Sequence, residues 1–183
     1  MNEFLILVDE NDKQWGKLEK LMVHKLGLLH RAFSVFIFNL KGELLLQQRA
    51  DCKYHSGGLW TNTCCSHPRF GEELSWAIER RLQEEMGMNC ETEFAFNFVY
   101  KSEFENGLIE HEFDHVYFGI SEQIPKPEIQ EVKNWEYVTI NNLEEDLLNH
   151  PEKYTVWLKV CFPQVKKYFH ETFKDNLLKY SSL

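Results

Sequence analysis

The sequence predicts an α/β (α+β) fold in which strands and helices share one core. Three observations carry this. Runs of β-forming residues recur at 32–39, 43–49, 92–104, 108–120 and 132–140. The stretch 72–86 has helical apolar spacing, and 43% of the 183 residues are hydrophobic, enough to bury a sizeable core without covalent staples. No repeat, low-complexity block or linker interrupts the chain, so a single domain over residues 1–183 is expected.

In chain order, Phe4 to Val8 reads as a short strand, followed by a polar turn over 9–16 and a helix over 17–24 spaced by Leu18, Leu21 and Met22. His24 ends that helix, and His30 stands at the entrance of a largely buried strand over 32–39. The turn 39–42 leads to Glu43–Arg49, the second arm of an expected hairpin with Arg49 at its far end. The loop 50–58 contains Lys53 and Gly57-Gly58, and 59–65 is a third short strand. Alternation there sends Cys64 and Cys65 to opposite faces, so one of the two points to a site. A helix over about 72–86 is stopped by Gly87, with Leu74, Ile78, Leu82 and Met86 on one core stripe. Arg80 with Glu84 and Arg81 with Glu85 form i,i+4 pairs outside that stripe. Residues 92–104 and 108–120 flank Asn106-Gly107 as a long hairpin, which puts Glu110 and Glu112 on one face. A last strand covers 132–140, Asn141 caps a short helix with Glu144 three residues on, and His150-Pro151 interrupts it. One or two C-terminal helices follow, over 151–161 and 163–173, with a fraying polar tail after Lys174.

A net charge of -9 argues against nucleic-acid or anionic-membrane partners, which need a basic surface, so an anionic substrate has to meet a local basic patch. Five cysteines without regular spacing argue against a disulfide framework and for reduced thiols in the cytoplasm. No apolar run approaches the roughly twenty residues that span a bilayer.

His24, His30 and His67 fall at strand or loop edges, as do Glu110 and Glu112. Imidazoles mixed with carboxylates suit a borderline divalent ion such as Mn, Zn or Fe, and two same-face acids need a cation if they are buried.

The pattern Ser66-x5-Glu72-x7-Arg80-Arg81-Leu82-x-Glu84-Glu85-x-Gly87-Met88 resembles a Nudix box, with Ser66 where Gly is usual and Arg81 where Glu is usual. HRAFSVFIFN, GLWTNTCCSHP, RRLQEEMG, GLIEHEFDHVYFG and EKYTVW are similar to segments of one Nudix branch, the type I isopentenyl diphosphate isomerases. The resemblance covers about residues 16–157. It implies a Nudix-type α/β/α sandwich with a mixed β-sheet, and reversible conversion of isopentenyl to dimethylallyl diphosphate through a carbocation-like state. Carried over by position, Cys65 and Glu112 match the catalytic pair, and Tyr100 and Trp157 the aromatic site residues. His24, His30, His67, Glu110 and Glu112 match a first metal site, for Mn2+ or Zn2+. Glu85 matches a carboxylate for Mg2+, and Arg49, Lys53 and Arg81 the basic contacts to the diphosphate. A small-molecule diphosphate, a cytoplasmic location and a monomer or weak homodimer are the remaining expectations. A Nudix hydrolase of a nucleoside diphosphate derivative and a non-catalytic Nudix-like binding module are the alternatives.

Overall fold

A computed structural model describes residues 3–53, 55–104, 106–175 and 177. Among these, the elements follow as β1 (Phe4–Val8), β2 (Gln14–Glu19), α1 (Lys20–Leu26), β3 (His30–Phe38), β4 (Glu43–Arg49), β5 (Trp60–Thr61), β6 (Cys64–Ser66), α2 (Leu74–Met86), β7 (Thr92–Glu103), β8 (Ile109–Ile120), β9 (Val132–Thr139), α3 (Ile140–Asn149) and α4 (Val156–Tyr168). All the strands join one mixed sheet centred on β3. β3 runs parallel to β8 from His30↔Glu112 to Phe38↔Ile120. Its other edge is shared in succession by β1 at His30, β6 at Phe33–Val35 and β4 at Phe38.

The two-residue period of β3 divides the core. Phe33, Val35 and Ile37 pack with Ala77, Ile78, Leu82 and Met86 of α2, while Phe36 and Phe38 pack with Leu158, Phe162 and Val165 of α4. The result is a helix–sheet–helix sandwich. Each fully buried Phe or Leu in it contributes about 1.5–3 kcal/mol. Among the described residues, no helix is long and apolar enough to cross a membrane.

Several expectations need correction. Residues 14–19 are a strand on β1, and the helix starts only at Lys20, with the Glu19 carboxylate accepting from the Met22 amide at 3.1 Å. β2 is a half-exposed edge with little apolar alternation, so its pattern carried no strand signal. The β3–β4 hairpin closes through Phe38↔Leu44 alone, because β6 occupies the next stretch of β3, and β4 pairs instead with β9. The strand expected over 59–65 is broken in two. The Thr63 hydroxyl donates to Leu45 O (2.6 Å) and accepts from the Ile37 amide (2.9 Å), and Asn62 donates to Val35 O (3.2 Å) and Cys64 O (2.8 Å). These side chains take over the ladder where the chain passes from β4 to β3. α2 begins at Leu74, since Glu72 turns its carboxylate to the Arg69 amide and Arg80. Thr139, not Asn141, caps α3, accepting from the Asn142 amide at 3.2 Å.

α4 continues through Pro163. Trp157, Leu158, Cys161, Phe162 and Val165 are buried on both sides of the missing hydrogen bond and hold the helix together. A π-helical turn, Phe169–Phe173, then lays Phe169 and Phe173 against Phe38, with ring centroids 4.8 and 5.2 Å away. The tail expected to fray after Lys174 lies largely outside the described residues; within them, Leu177 is buried.

Gly87 ends α2 at φ 61°, its amide donating to Gln83 O, and a Cβ added there would land on the Lys126 carbonyl oxygen. Gly87→Ala is therefore expected to cost about 2–5 kcal/mol, left-handed strain and overlap together. A lower urea midpoint at unchanged slope is the check.

Candidate active site

His24 lies on the last turn of α1, His30 opens β3, and His67 follows β6 directly. The parallel β3–β8 register places Glu112 beside His30, and the pleat puts Glu110 on the same face. The three imidazole centroids lie 4.9–5.6 Å apart. One ligand atom from each of His24, His30, His67 and Glu110 fits within 4.8 Å of the others, all four side chains being buried.

Backbone carbonyls set the ring protons. His24 Nδ1 donates to Lys20 O (2.6 Å) and His30 Nδ1 to Leu28 O (2.9 Å); the His30 ring thereby turns an Nε2 lone pair into the cluster, whereas His24 Nε2 faces Glu110 Oε2 at 3.2 Å. His30 Nε2 has no hydrogen-bond partner among the described residues. A buried lone pair of this kind fits a cation.

Burial drives His30 down to about 4 and His67 well below the usual imidazole range, so both are neutral, the form that binds metal. Burial also opposes the charge on His24, but its bond to Glu110 outweighs that and raises it. The two acids diverge. Burial works against Glu110 too, yet hydrogen bonds from His24 and His55 hold it well below the usual carboxyl range. Burial, followed by the charges of Glu110 and Asp114, pushes Glu112 well above that range. Glu112 accepts from Tyr100 Oη at 2.8 Å and faces His67 Nε2 at 2.8 Å. One ionised and one protonated carboxyl is what two close buried acids adopt without a cation.

Both acids open onto a cavity that Cys65, Tyr100 and Trp157 also line. Cys64 faces α2, so of the adjacent thiols Cys65 is the one at the cavity. Burial pushes the Cys65 thiol up to about 12; Arg49 opposes this, and Glu85, Glu112 and Asp114 add to it. At pH 7 the group is then a thiol, not a thiolate. Iodoacetamide is expected to modify exposed Cys52 first, while Cys65 labelling climbs about tenfold per pH unit between pH 8 and 11. Peptide mass mapping checks this, and equal rates at pH 7.5 would contradict it.

Arg49, Lys53 and Arg81 line the same cavity. Arg49 lies over the Trp157 ring, 5.2 Å from its centroid, and Trp157 Nε1 donates to Thr61 Oγ1 at 2.7 Å. Lys53 is ion-paired to Glu131, and Arg81 reaches Glu131 (3.1 Å), Glu84 (2.8 Å) and Glu85. The i,i+4 pairs expected outside the core stripe form, Arg80 with Glu84 and Arg81 with Glu85; Glu84 is exposed, whereas Glu85 is buried at the site. Glu85 is buried between Arg81 Nε (3.2 Å) and Gln47 Nε2, which donates to it at 2.8 Å. Among the described residues, His55, Lys20, Gln47 and Glu131 belong to the site without having been singled out from sequence. Each sits in a loop or on a strand or helix without a motif of its own.

The NUDIX domain family matches residues 28–158. Curated isopentenyl-diphosphate Delta-isomerases are similar over most of the chain. That of Pectobacterium atrosepticum is 48% identical, covering 94% of this chain and 96% of its own. That of Serratia proteamaculans is 51% identical, covering 86% and 88%. The chain belongs to the isopentenyl-diphosphate Delta-isomerase branch of the NUDIX family. Solved structures bear out the fold. A protein from Deinococcus radiodurans superposes with a TM-score of 0.75 at 20% identity over 88% of this chain and 98% of that one. A MutT NUDIX hydrolase from Burkholderia pseudomallei gives 0.60 at 19%, over 75% and 98%. On α2, Arg81 stands among the acids, and Glu84 is bonded to both Arg80 and Arg81.

Proposed function

We infer that the chain interconverts isopentenyl and dimethylallyl diphosphate by adding a proton to the alkene and removing another, Glu112 and Cys65 each exchanging one of the two with the substrate. The observation that carries the mechanism is the shared cavity, which the Glu112 carboxyl and the Cys65 thiol line together beside Trp157 and a basic group of side chains. An unactivated alkene is a poor base, so moving its double bond needs a proton delivered at one carbon and another removed nearby. Glu112, oriented by the Tyr100 hydroxyl, is suited to exchange one proton, and Cys65 the other; reversal of the reaction exchanges their roles. Trp157 closes a dry wall that keeps water from the cationic intermediate, its π-face contributing about 2 kcal/mol.

His24, His30, His67, Glu110 and Glu112 would hold the first ion, Mn2+ or Zn2+. Glu85 would hold Mg2+ together with the diphosphate, sharing it with Arg81. Bound there, the ions supply positive charge that keeps the acids ionised and neutralises the diphosphate. Arg49, Lys53 and Arg81 bind the diphosphate, and for this Lys53 and Arg81 exchange Glu131 for phosphate oxygens. The remaining proposals are a cytoplasmic monomer or weak homodimer that acts without nucleic acid or membrane.

Proton NMR of the protein with isopentenyl diphosphate, Mg2+ and Mn2+ in D2O tests the reading. Dimethylallyl diphosphate carrying deuterium is expected. Unchanged alkene with either Mn2+ or Zn2+ would overturn it, and release of phosphate from nucleoside diphosphate derivatives would favour the hydrolase alternative.

A further inference from the structure

The loop between β4 and β5 carries His55, which is 8% exposed. Its Nε2 lies 2.9 Å from Glu110 Oε1. The other carboxylate oxygen, Oε2, faces His24 Nε2 at 3.2 Å and His30 Nε2 at 3.9 Å. The two oxygens of Glu110 are thus divided between the histidine cluster and His55. Ser56 Oγ, 3.3 Å from His55 Nδ1, is placed to donate to it, and the ring proton then sits on Nε2, aimed at the carboxylate. The ring stacks on Phe104 (4.7 Å, 20°) and meets Trp157 edge-on (5.9 Å, 85°), which restricts its rotation. The His55 carbonyl in turn accepts from Arg49 Nη2 at 3.4 Å.

We propose that His55 is a positioning residue for the metal centre: its Nε2–H holds Glu110 Oε1 so that Oε2 stays turned to His24 and His30. It is not a ligand itself, since its Nε2–H is directed at Oε1, the Glu110 oxygen turned away from His24 and His30. The same bond ties the loop of Lys53 to the metal cluster, so the diphosphate contact and the metal site are set by one side chain. This inference rests on the metal-centre reading above. It adds to that reading a reason why Glu110 keeps a single orientation.

Titration of the metal-free full chain with Mn2+ and Zn2+ against a chromophoric chelator tests it without turnover. H55F keeps a stacked ring and loses the donor, whereas H55Q keeps an N–H for Glu110. H55F is expected to bind either ion about 10–100-fold more weakly, the effect of removing a group that orients a ligand, and H55Q to recover most of the affinity. H55F binding as tightly as wild type, or H55F and H55Q weakened alike, would overturn the proposal. Thermal melts of the metal-free proteins identify a variant that does not fold; should H55F be one, H55A takes its place in the comparison with H55Q. Wild type that takes up neither ion overturns the metal-centre reading, and the role of His55 with it. Tight wild-type binding with an equal H55F removes His55 alone.

Discussion

Cys65→Ala and Glu112→Gln are each expected to slow deuterium incorporation into dimethylallyl diphosphate by about 10²–10⁴-fold, the range for loss of a positioned acid or base. Among the described residues Cys65 is the one thiol lining the cavity, and the other cavity acids are engaged elsewhere, Glu110 with His55 and Glu85 with Arg81 and Gln47. The other buried thiols are elsewhere, with Cys64 packed against α2 and Cys161 on the buried face of α4, and Asp114 already accepts from Ser34 Oγ at 2.8 Å. The two losses should not add. Each residue handles one of two protons in a single conversion, so the double variant is expected to fall little below the worse single one. Glu112→Gln also removes a candidate ligand, and its metal affinity has to be measured beside its rate. Cys65→Ala touches no proposed ligand, so unchanged metal affinity with lost turnover is the pattern that assigns proton transfer to Cys65. A Cys65→Ala protein that still incorporates deuterium at more than a tenth of the wild-type rate would remove the thiol from the mechanism.

Stripping the metal is expected to abolish turnover and to lower the melting temperature together. The cluster is a poor piece of core without an ion: three buried imidazoles and two acids on one face of β8 satisfy one another only in part. An ion at a thousand times its dissociation constant adds about 4 kcal/mol to folding stability. The metal-free protein should also be acid-sensitive. His30 is held down at about 4 while the unfolded chain titrates near 6.5, so the unfolded state binds the extra proton between these values. Stability contributed by neutral His30 is therefore full above pH 6.5 and falls as the pH drops towards 4. Melts of stripped and Mn2+-reloaded protein at pH 5 and pH 8 check both claims. A reloaded protein that melts no higher than the stripped one would exclude an ion from this cluster.

The parts of the molecule that were legible in the sequence share a local pattern. The stripe Leu74, Ile78, Leu82, Met86 and the Gly87 stop specify α2, and Asn106-Gly107 between two β-rich runs specifies the β7–β8 hairpin. Alternation alone gives the shared face of Glu110 and Glu112 and the split between Cys64 and Cys65. What stayed hidden depends on partners distant in sequence. β2 is a strand because β1 bonds to it, and β4 leaves β3 because β6 is already there. His55 belongs to the site through Glu110, Phe104 and Trp157, each far from it in the chain. The burial of Glu85 depends on Gln47 of β4, and a helical wheel has no place for that.

The long parallel register of β3 with β8 also bears on how the protein comes to be folded. Parallel neighbours cannot be joined by a tight turn, and these two are separated in the chain by β4, β5, β6, α2 and β7. Closing so large a loop is entropically slow, and His30 and Glu112 meet only when it closes. The metal cluster is therefore expected to assemble no earlier than this closure. An ion that recognises only the assembled cluster is then expected to slow unfolding more than it speeds folding, and so to lengthen the lifetime of the native state.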